Sequence, residues 1–280
     1  MDAGRRFCDD WFMRRVVRVI SAGAGLAFFA LAPLPGTAVA ADPASLRIEV
    51  YGLMGLHVLT LHSTVDETGD RYSITTDYAT RGLAGVFADL STRATVQGRL
   101  GNPRPHPVSF RRDTRRGGAD RREQVDYRPD GSIEGSSTPP SPQPIPAAET
   151  RGTVDNLTAY FTLERQLAKT GSCALVVPVY DGRYRYNLEF TDAGKKKLAS
   201  VAGQKFEGDA IACHMYRRDL PGIDQPERDE GARQGTIWYA KLLPGDAMVP
   251  VRMQMEAVIG VVDGYLAELH GRGVNLKLME

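Results

Sequence analysis

Apolar and polar residues alternate with a period of two along most of this chain. Leu46, Ile48 and Val50 alternate with Arg47 and Glu49, as in a strand with one buried and one wet face. Leu56 to Leu61 reads as a second strand, Tyr72, Ile74, Thr76 and Tyr78 share one face of a third, and a fourth runs from Leu90 to Leu100. Val108 to Arg112 and Glu123 to Tyr127 follow, separated by a loop containing Arg115, Arg116, Gly117 and Gly118. Pro129-Asp130-Gly131 marks a turn, and the five prolines between Thr138 and Pro146 cannot support a regular ladder, so that stretch reads as a surface loop within one domain. Arg81 to Asp89 is a small-residue connection, and Pro221 to Gly235 is a charged loop.

The clearest strand pair flanks Asp181-Gly182. That dipeptide suits a two-residue type I′ turn, and beyond it Tyr184, Tyr186, Leu188 and Phe190 alternate with Arg183, Arg185, Asn187 and Glu189. Phe206 to Arg217, Thr236 to Leu243, Val249 to Glu256, Val258 to Val262 and Tyr265 to Leu269 supply the closing strands. Only one segment has helical spacing. Leu157, Tyr160, Phe161, Glu164 and Leu167 follow Asp155 as a plausible N-cap, and Gly171 is placed to end the helix. About a dozen strands around one helix predict a mainly β fold: a large antiparallel curled sheet, an incomplete barrel or β-spiral, with one central α-helix.

Residues 1–40 do not fit this pattern. Arg5, Arg6, Arg14, Arg15 and Arg18 precede an apolar run from Val19 to Leu34, and Ala38-Val39-Ala40 matches a small-x-small cleavage pattern. The run is short for a spanning helix and ends at Pro33, Pro35 and Gly36. The reading is a cleaved signal peptide, exported by general secretion or, through Arg14-Arg15, by the twin-arginine route. A single β-rich domain, 41–280, remains for the periplasm. There is no cysteine at the cleavage point to carry a lipid. Cys8 leaves with the signal, and Cys173 and Cys213 remain as an even pair in an oxidising compartment. They are expected to be bonded. A metal pair or redox dithiol fits poorly without a Cys-x-x-Cys motif.

Charge sets few limits on partners: 35 Lys+Arg against 34 Asp+Glu give +1, so no global field favours nucleic acid or a membrane surface. His57 and His62 are an odd number of residues apart in one predicted strand and should face opposite sides, which argues against a shared metal. Ser172 lacks a nucleophile elbow and a defined base, His214 reads as a sheet residue, and Gly82 to Gly85 lacks the lysine of a phosphate-binding loop. Neither a cofactor, a metal nor an enzymatic activity is expected. Two features could bind something. Arg111, Arg112, Arg115 and Arg116 form a basic run suited to anion contact, though a solvated loop explains it equally. Tyr72, Tyr78, Tyr184, Tyr186, Phe190 and Trp238 would line the concave face of a curled sheet, either as packed core or around an apolar or amphipathic ligand.

Tyr51-Gly52-Leu53, the Asp155 to Phe161 helix start, the Tyr180 to Tyr186 hairpin and Val249-Pro250-Val251-Arg252 together resemble an exported proteobacterial family labelled only as a domain of unknown function. The resemblance spans about residues 50 to 269. It implies no catalytic residues. More distantly the layout is similar to periplasmic lipoprotein carriers and to envelope-integrity β-spiral proteins, which also join strands by a disulfide, although the carriers have several helices. Export, the strand count and the aromatic alternation around the hairpin point to a non-enzymatic periplasmic protein that supports the cell envelope by binding a lipid, a lipidated ligand or another envelope component in its concavity. The alternative is an interaction module docking an envelope partner through the Arg-rich and Pro-rich loops. No integral membrane segment is expected after signal cleavage.

Overall fold

The computed structural model describes residues 42–80, 89–220, 232–245, 247–257 and 260–280, all within one compact unit, Val39–Glu280. The expected signal peptide, the connection after Thr80 up to residue 88 and most of the charged loop after Leu220 lie outside the described residues. In chain order the elements are β1 (Ala44–Tyr51), β2 (His57–Thr68), β3 (Arg71–Thr80), β4 (Leu90–Arg99), β5 (His106–Arg116), β6 (Ala119–Tyr127) and β7 (Ile133–Thr138). Two helices follow, α1 (Ala147–Thr150) and α2 (Asn156–Thr170). The second run of strands is β8 (Leu175–Tyr180), β9 (Arg185–Leu198), β10 (Gly208–Asp219), β11 (Gln234–Ala240), β12 (Val249–Ala257), β13 (Gly260–Gly271) and β14 (Val274–Lys277).

All these strands form one antiparallel sheet in the order β7-β6-β5-β4-β3-β2-β1-β13-β12-β11-β10-β9-β8, with β14 also paired to β13. It consists of two meanders, β1 to β7 and β8 to β13, joined where the first strand pairs with the thirteenth, from Ser45 opposite His270 to Tyr51 opposite Asp263. The curled sheet expected from the alternation is present, and it is not closed into a barrel. Its two end strands, β7 and β8, share no ladder. They meet instead at a side-chain seam. Gly135 of β7 lies under the Tyr180 phenol so closely that a Cβ would overlap the ring, and the backbone of Gly182 rests against β6 and β7 near Gln124 and Ser136. The outer edge of β8 is covered by Val154, whose N–H donates to the Pro178 carbonyl and whose carbonyl accepts from the Tyr180 N–H. This leaves less of an exposed template for unwanted strand pairing.

The expected hairpin is present with a different turn. Tyr180 pairs with Arg185, so four residues, Asp181 to Tyr184, make the connection in place of two. A type I′ turn needs positive φ at both central residues, and only Gly182, at 93°, adopts it. The Asp181 carboxylate accepts the N–H groups of Arg183 and Tyr184 and thereby builds an Asx-type turn. The face expected to be wet is also covered near the turn: Arg183 and Arg185 are buried, and the Arg185 guanidinium donates to the Glu149 carbonyl beside it.

Other expectations needed extending. β5 and β6 run to a tight turn at Gly117-Gly118 with no intervening loop, and β9 continues through Thr191 to Leu198. β7, β14 and α1 were not legible as elements, and the two strands expected after Val258 are one strand, β13, across the described part. The disulfide between Cys173 and Cys213 is present, with both sulfurs buried and the Cα atoms 5.6 Å apart.

Candidate functional site

The interior of the curl is organised by α2. Its N-cap is Asp155, whose carboxylate accepts the Thr158 N–H at 2.9 Å and the Thr158 hydroxyl at 2.7 Å. Gly171 ends it in the left-handed conformation and donates to the Leu167 carbonyl. Asp155 is fully buried, which raises its carboxyl to about 6 even though the cap hydrogen bonds favour the charged form. The Tyr72 hydroxyl lies 2.8 Å from the Thr158 hydroxyl and pins the helix start to β3.

Helical spacing gives α2 two different faces. Ala159, Leu163 and Leu167, four residues apart, pack into a filled core with Leu175, Tyr184, Tyr186, Leu188, Phe190, Met215 and the disulfide. Asn156, Tyr160 and Glu164, also four apart, face a cavity of about 330 Å³ together with Leu157 and Phe161. The cavity walls are largely apolar: Leu46 and Ile48 from β1, Leu61 and Val65 from β2, Ile74 from β3, Ala94 from β4, Ile237 and Tyr239 from β11, and Met253 and Met255 from β12. The interior is therefore packed on one side of the helix and hollow on the other.

Few charged groups line the hollow side. Arg112 comes from β5 with its guanidinium 3.0 Å from Asp181 and 3.2 Å from Glu123, and both carboxylates are buried. Burial opposes the charge on Arg112, but Asp181 and Glu123 outweigh it and hold the group protonated. Arg272, in the turn after β13, binds Glu67 at 2.7 Å, and Arg165 of α2 binds the same carboxylate at 2.8 Å. Glu164 has no hydrogen bond or ion pair among the described residues. Burial in the apolar cavity, and next the negative charge of Glu67, push its carboxyl up to about 8, so it is protonated at neutral pH. Asn156 Oδ1 is buried without a hydrogen-bond partner.

The residues expected to bind a ligand separate in the structure. Tyr78 lines the cavity. Tyr72 is buried against Phe161 with ring centroids 5.0 Å apart. Tyr184, Tyr186 and Phe190 belong to the filled core, where the Arg217 guanidinium covers the Tyr186 ring at 3.8 Å. Trp238 lies between the cavity residues Ile237 and Tyr239 and so projects from the other face of β11, partly buried. The concave aromatic set is thus mostly core, and the ligand-accessible wall is a mixture of aliphatic side chains with Tyr78, Tyr160, Phe161 and Tyr239.

The basic run is also divided, because strand alternation carries through it. Arg111, Arg115 and Arg116 are exposed, whereas Arg112 turns inward to its buried carboxylates and is not part of an outer anion surface. Arg115 borders an open groove of about 650 Å³ in which Arg93 pairs with Asp77 at 2.9 Å and Arg122 with Asp113 at 2.6 Å. His57 and His62 do not face opposite sides. A bulge after Val50 lets His57 and Thr60 both reach the Glu49 carboxylate, and Thr60 and His62 border the same open groove. No group of three or more metal-ligating side chains occurs among the described residues.

Glu164, Asn156 and Arg272 were not singled out from sequence. The signal for Glu164 was available: a carboxylate in phase with the apolar residues of a helix destined for the interior.

A family model matches residues 47–267, which takes in α2, nearly all of both meanders and most of the cavity lining. The chain belongs to DUF3108, a protein family of unknown function. This DUF3108 chain is similar in structure to a β-barrel-like protein of the DUF1849 family from Brucella abortus, with a TM-score of 0.50 and 12% identity over 83% of this chain and 98% of that one. At that identity the likeness concerns the fold alone. A candidate lipoprotein from Parabacteroides distasonis matches at a TM-score of 0.31 and 12% identity, covering 82% of this chain and 95% of that one. No curated protein is similar to the chain.

Proposed function

We propose that this DUF3108 protein works without catalysis in the periplasm, where it supports the cell envelope by holding the apolar chain of a lipid or a lipidated partner inside the curled sheet. The observation that carries this reading is the half-hollow interior, a cavity of about 330 Å³ walled mainly by apolar side chains beside a packed core. Its volume is near the lower end for ligand pockets, roughly 300 to 1,000 Å³, which suits a single chain better than a whole multi-chain lipid. Support for export comes from the buried Cys173–Cys213 bond, since such bonds persist in oxidising compartments. No helix among the described residues is long and apolar enough to cross a membrane.

The test is native mass spectrometry of protein purified from the periplasm, followed by solvent extraction of whatever it carries. The wild type should retain an amphipathic molecule. The Ala94→Phe variant, which projects a ring into the cavity from β4, should be folded and empty. Wild-type protein that is always empty, and that binds no apolar fluorescent probe while fully folded, would overturn the reading.

A further inference from the structure

The polar content of the cavity points to the head group it would accept, an inference that rests on the reading of the cavity as a ligand site. Two polar side chains on its α2 wall lack partners. Asn156 Oδ1 is buried and unbonded, and Glu164 has no hydrogen bond or ion pair among the described residues. They lie eight residues apart on one helical face, about 12 Å along the axis, with Tyr160 between them. The charged groups at the two ends of this wall are engaged elsewhere: Arg112 with Glu123 and Asp181, and Arg272 with Glu67. Only the Arg272 Nε, without a partner of its own, would favour an anion. The Glu67 carboxylate beside Glu164 is already paired with both Arg165 and Arg272, so the groups left unbonded on this wall are the Asn156 acceptor and the Glu164 carboxyl, which call for a hydrogen-bond donor.

We infer that the cavity selects amphiphiles whose polar end donates hydrogen bonds, an ammonium first and a hydroxyl second, and discriminates against carboxylates, with Glu164 as the group that makes the distinction. An ammonium displaces the proton of Glu164 to solvent and forms an ion pair with the resulting carboxylate. A hydroxyl is accommodated by the protonated carboxyl, with no net proton movement. Because Glu164 holds its proton up to about 8, the proton displaced by an amine is measurable at neutral pH.

The experiment uses the intact, disulfide-bonded protein, delipidated, and three probes of one chain length: n-decylamine, n-decanol and n-decanoate. Isothermal titration at neutral pH, in two buffers of different ionisation enthalpy, gives the affinity and the protons released for each. The expected order is amine, alcohol, carboxylate, with about tenfold or more between the ends, the scale of one charge-assisted hydrogen bond. Amine binding should release close to one proton and alcohol binding none. In Glu164→Gln the preference for amine over alcohol and the proton release should both vanish, while the alcohol still binds. Decanoate binding as tightly as the amine, or amine binding without proton release, would overturn the inference and leave the cavity reading standing. Failure of all three probes to bind folded protein would overturn both.

Discussion

A carboxyl on the cavity wall that holds its proton at neutral pH makes stability depend on pH, and Glu164→Gln isolates that dependence. The sign follows from proton linkage. In the unfolded chain this carboxyl titrates near its ordinary value of 4.5, whereas in the folded protein burial and Glu67 raise it to about 8. Between those values the folded state holds a proton that the unfolded state has released, so stability falls as pH rises through the window and levels off above the folded pKa. One proton corresponds to about 1.4 kcal/mol per pH unit. Allowing for partial ionisation as pH approaches the folded value, the loss between pH values of about 6 and 8 is ~2 kcal/mol. Asp155 behaves in the same direction, but its folded value of about 6 confines most of its contribution to lower pH. Glutamine preserves the size and shape of the side chain and removes the titration. Urea unfolding at the two pH values, with the disulfide intact, should show the wild type losing ~2 kcal/mol more than the variant. Groups that titrate elsewhere affect both proteins equally and cancel in the comparison. Parallel losses in the two proteins would refute the assignment of a protonated Glu164 on the cavity wall.

Three further substitutions test how the curl is held together. Arg112→Met leaves Glu123 and Asp181 buried without their shared cation and should cost ~3–5 kcal/mol in urea unfolding, with partial recovery when Glu123→Gln is added. Cys213→Ser opens a loop of 40 residues and should cost roughly 4 kcal/mol, seen equally as a lower melting temperature of reduced wild type than of oxidised wild type. Gly135→Val drives a branched side chain into the Tyr180 phenol at the seam between the end strands and should cost ~1–3 kcal/mol, with faster hydrogen exchange at β7 and β8. Full protection in that variant would mean the two strands do not rest on each other there.

Much of the fold could be read from the chain because the signals involved are local. The period-two alternation of Tyr72, Ile74, Thr76 and Tyr78 reflects strand geometry itself, and the cap residues Asp155 and Gly171 bound α2 where their backbone preferences place them. Signals failed where distant contacts decide. The Asp181-Gly182 turn is set by the bonds of its own carboxylate and by the ion pair to Arg112, 69 residues away. Arg185 is buried where the segment around Glu149 folds against it. β7, with the composition Ile-Glu-Gly-Ser-Ser-Thr, has no hydrophobic alternation, and its strand form comes from its ladder with β6.

By itself the sequence determined a curled antiparallel sheet, one capped helix and a bonded cysteine pair, since alternation, capping and the pairing of Cys173 with Cys213 need no knowledge of what lies across the sheet. Only the tertiary structure decided which side of α2 is full and which is hollow. Strand alternation states that Tyr78, Tyr184 and Tyr186 face inward, and all three do, but the volume left over depends on the helix lying between them. That placement buries Tyr184 and Tyr186 against Leu163 and Leu167. It also leaves Tyr78, Asn156 and Glu164 facing the space where a ligand could lie.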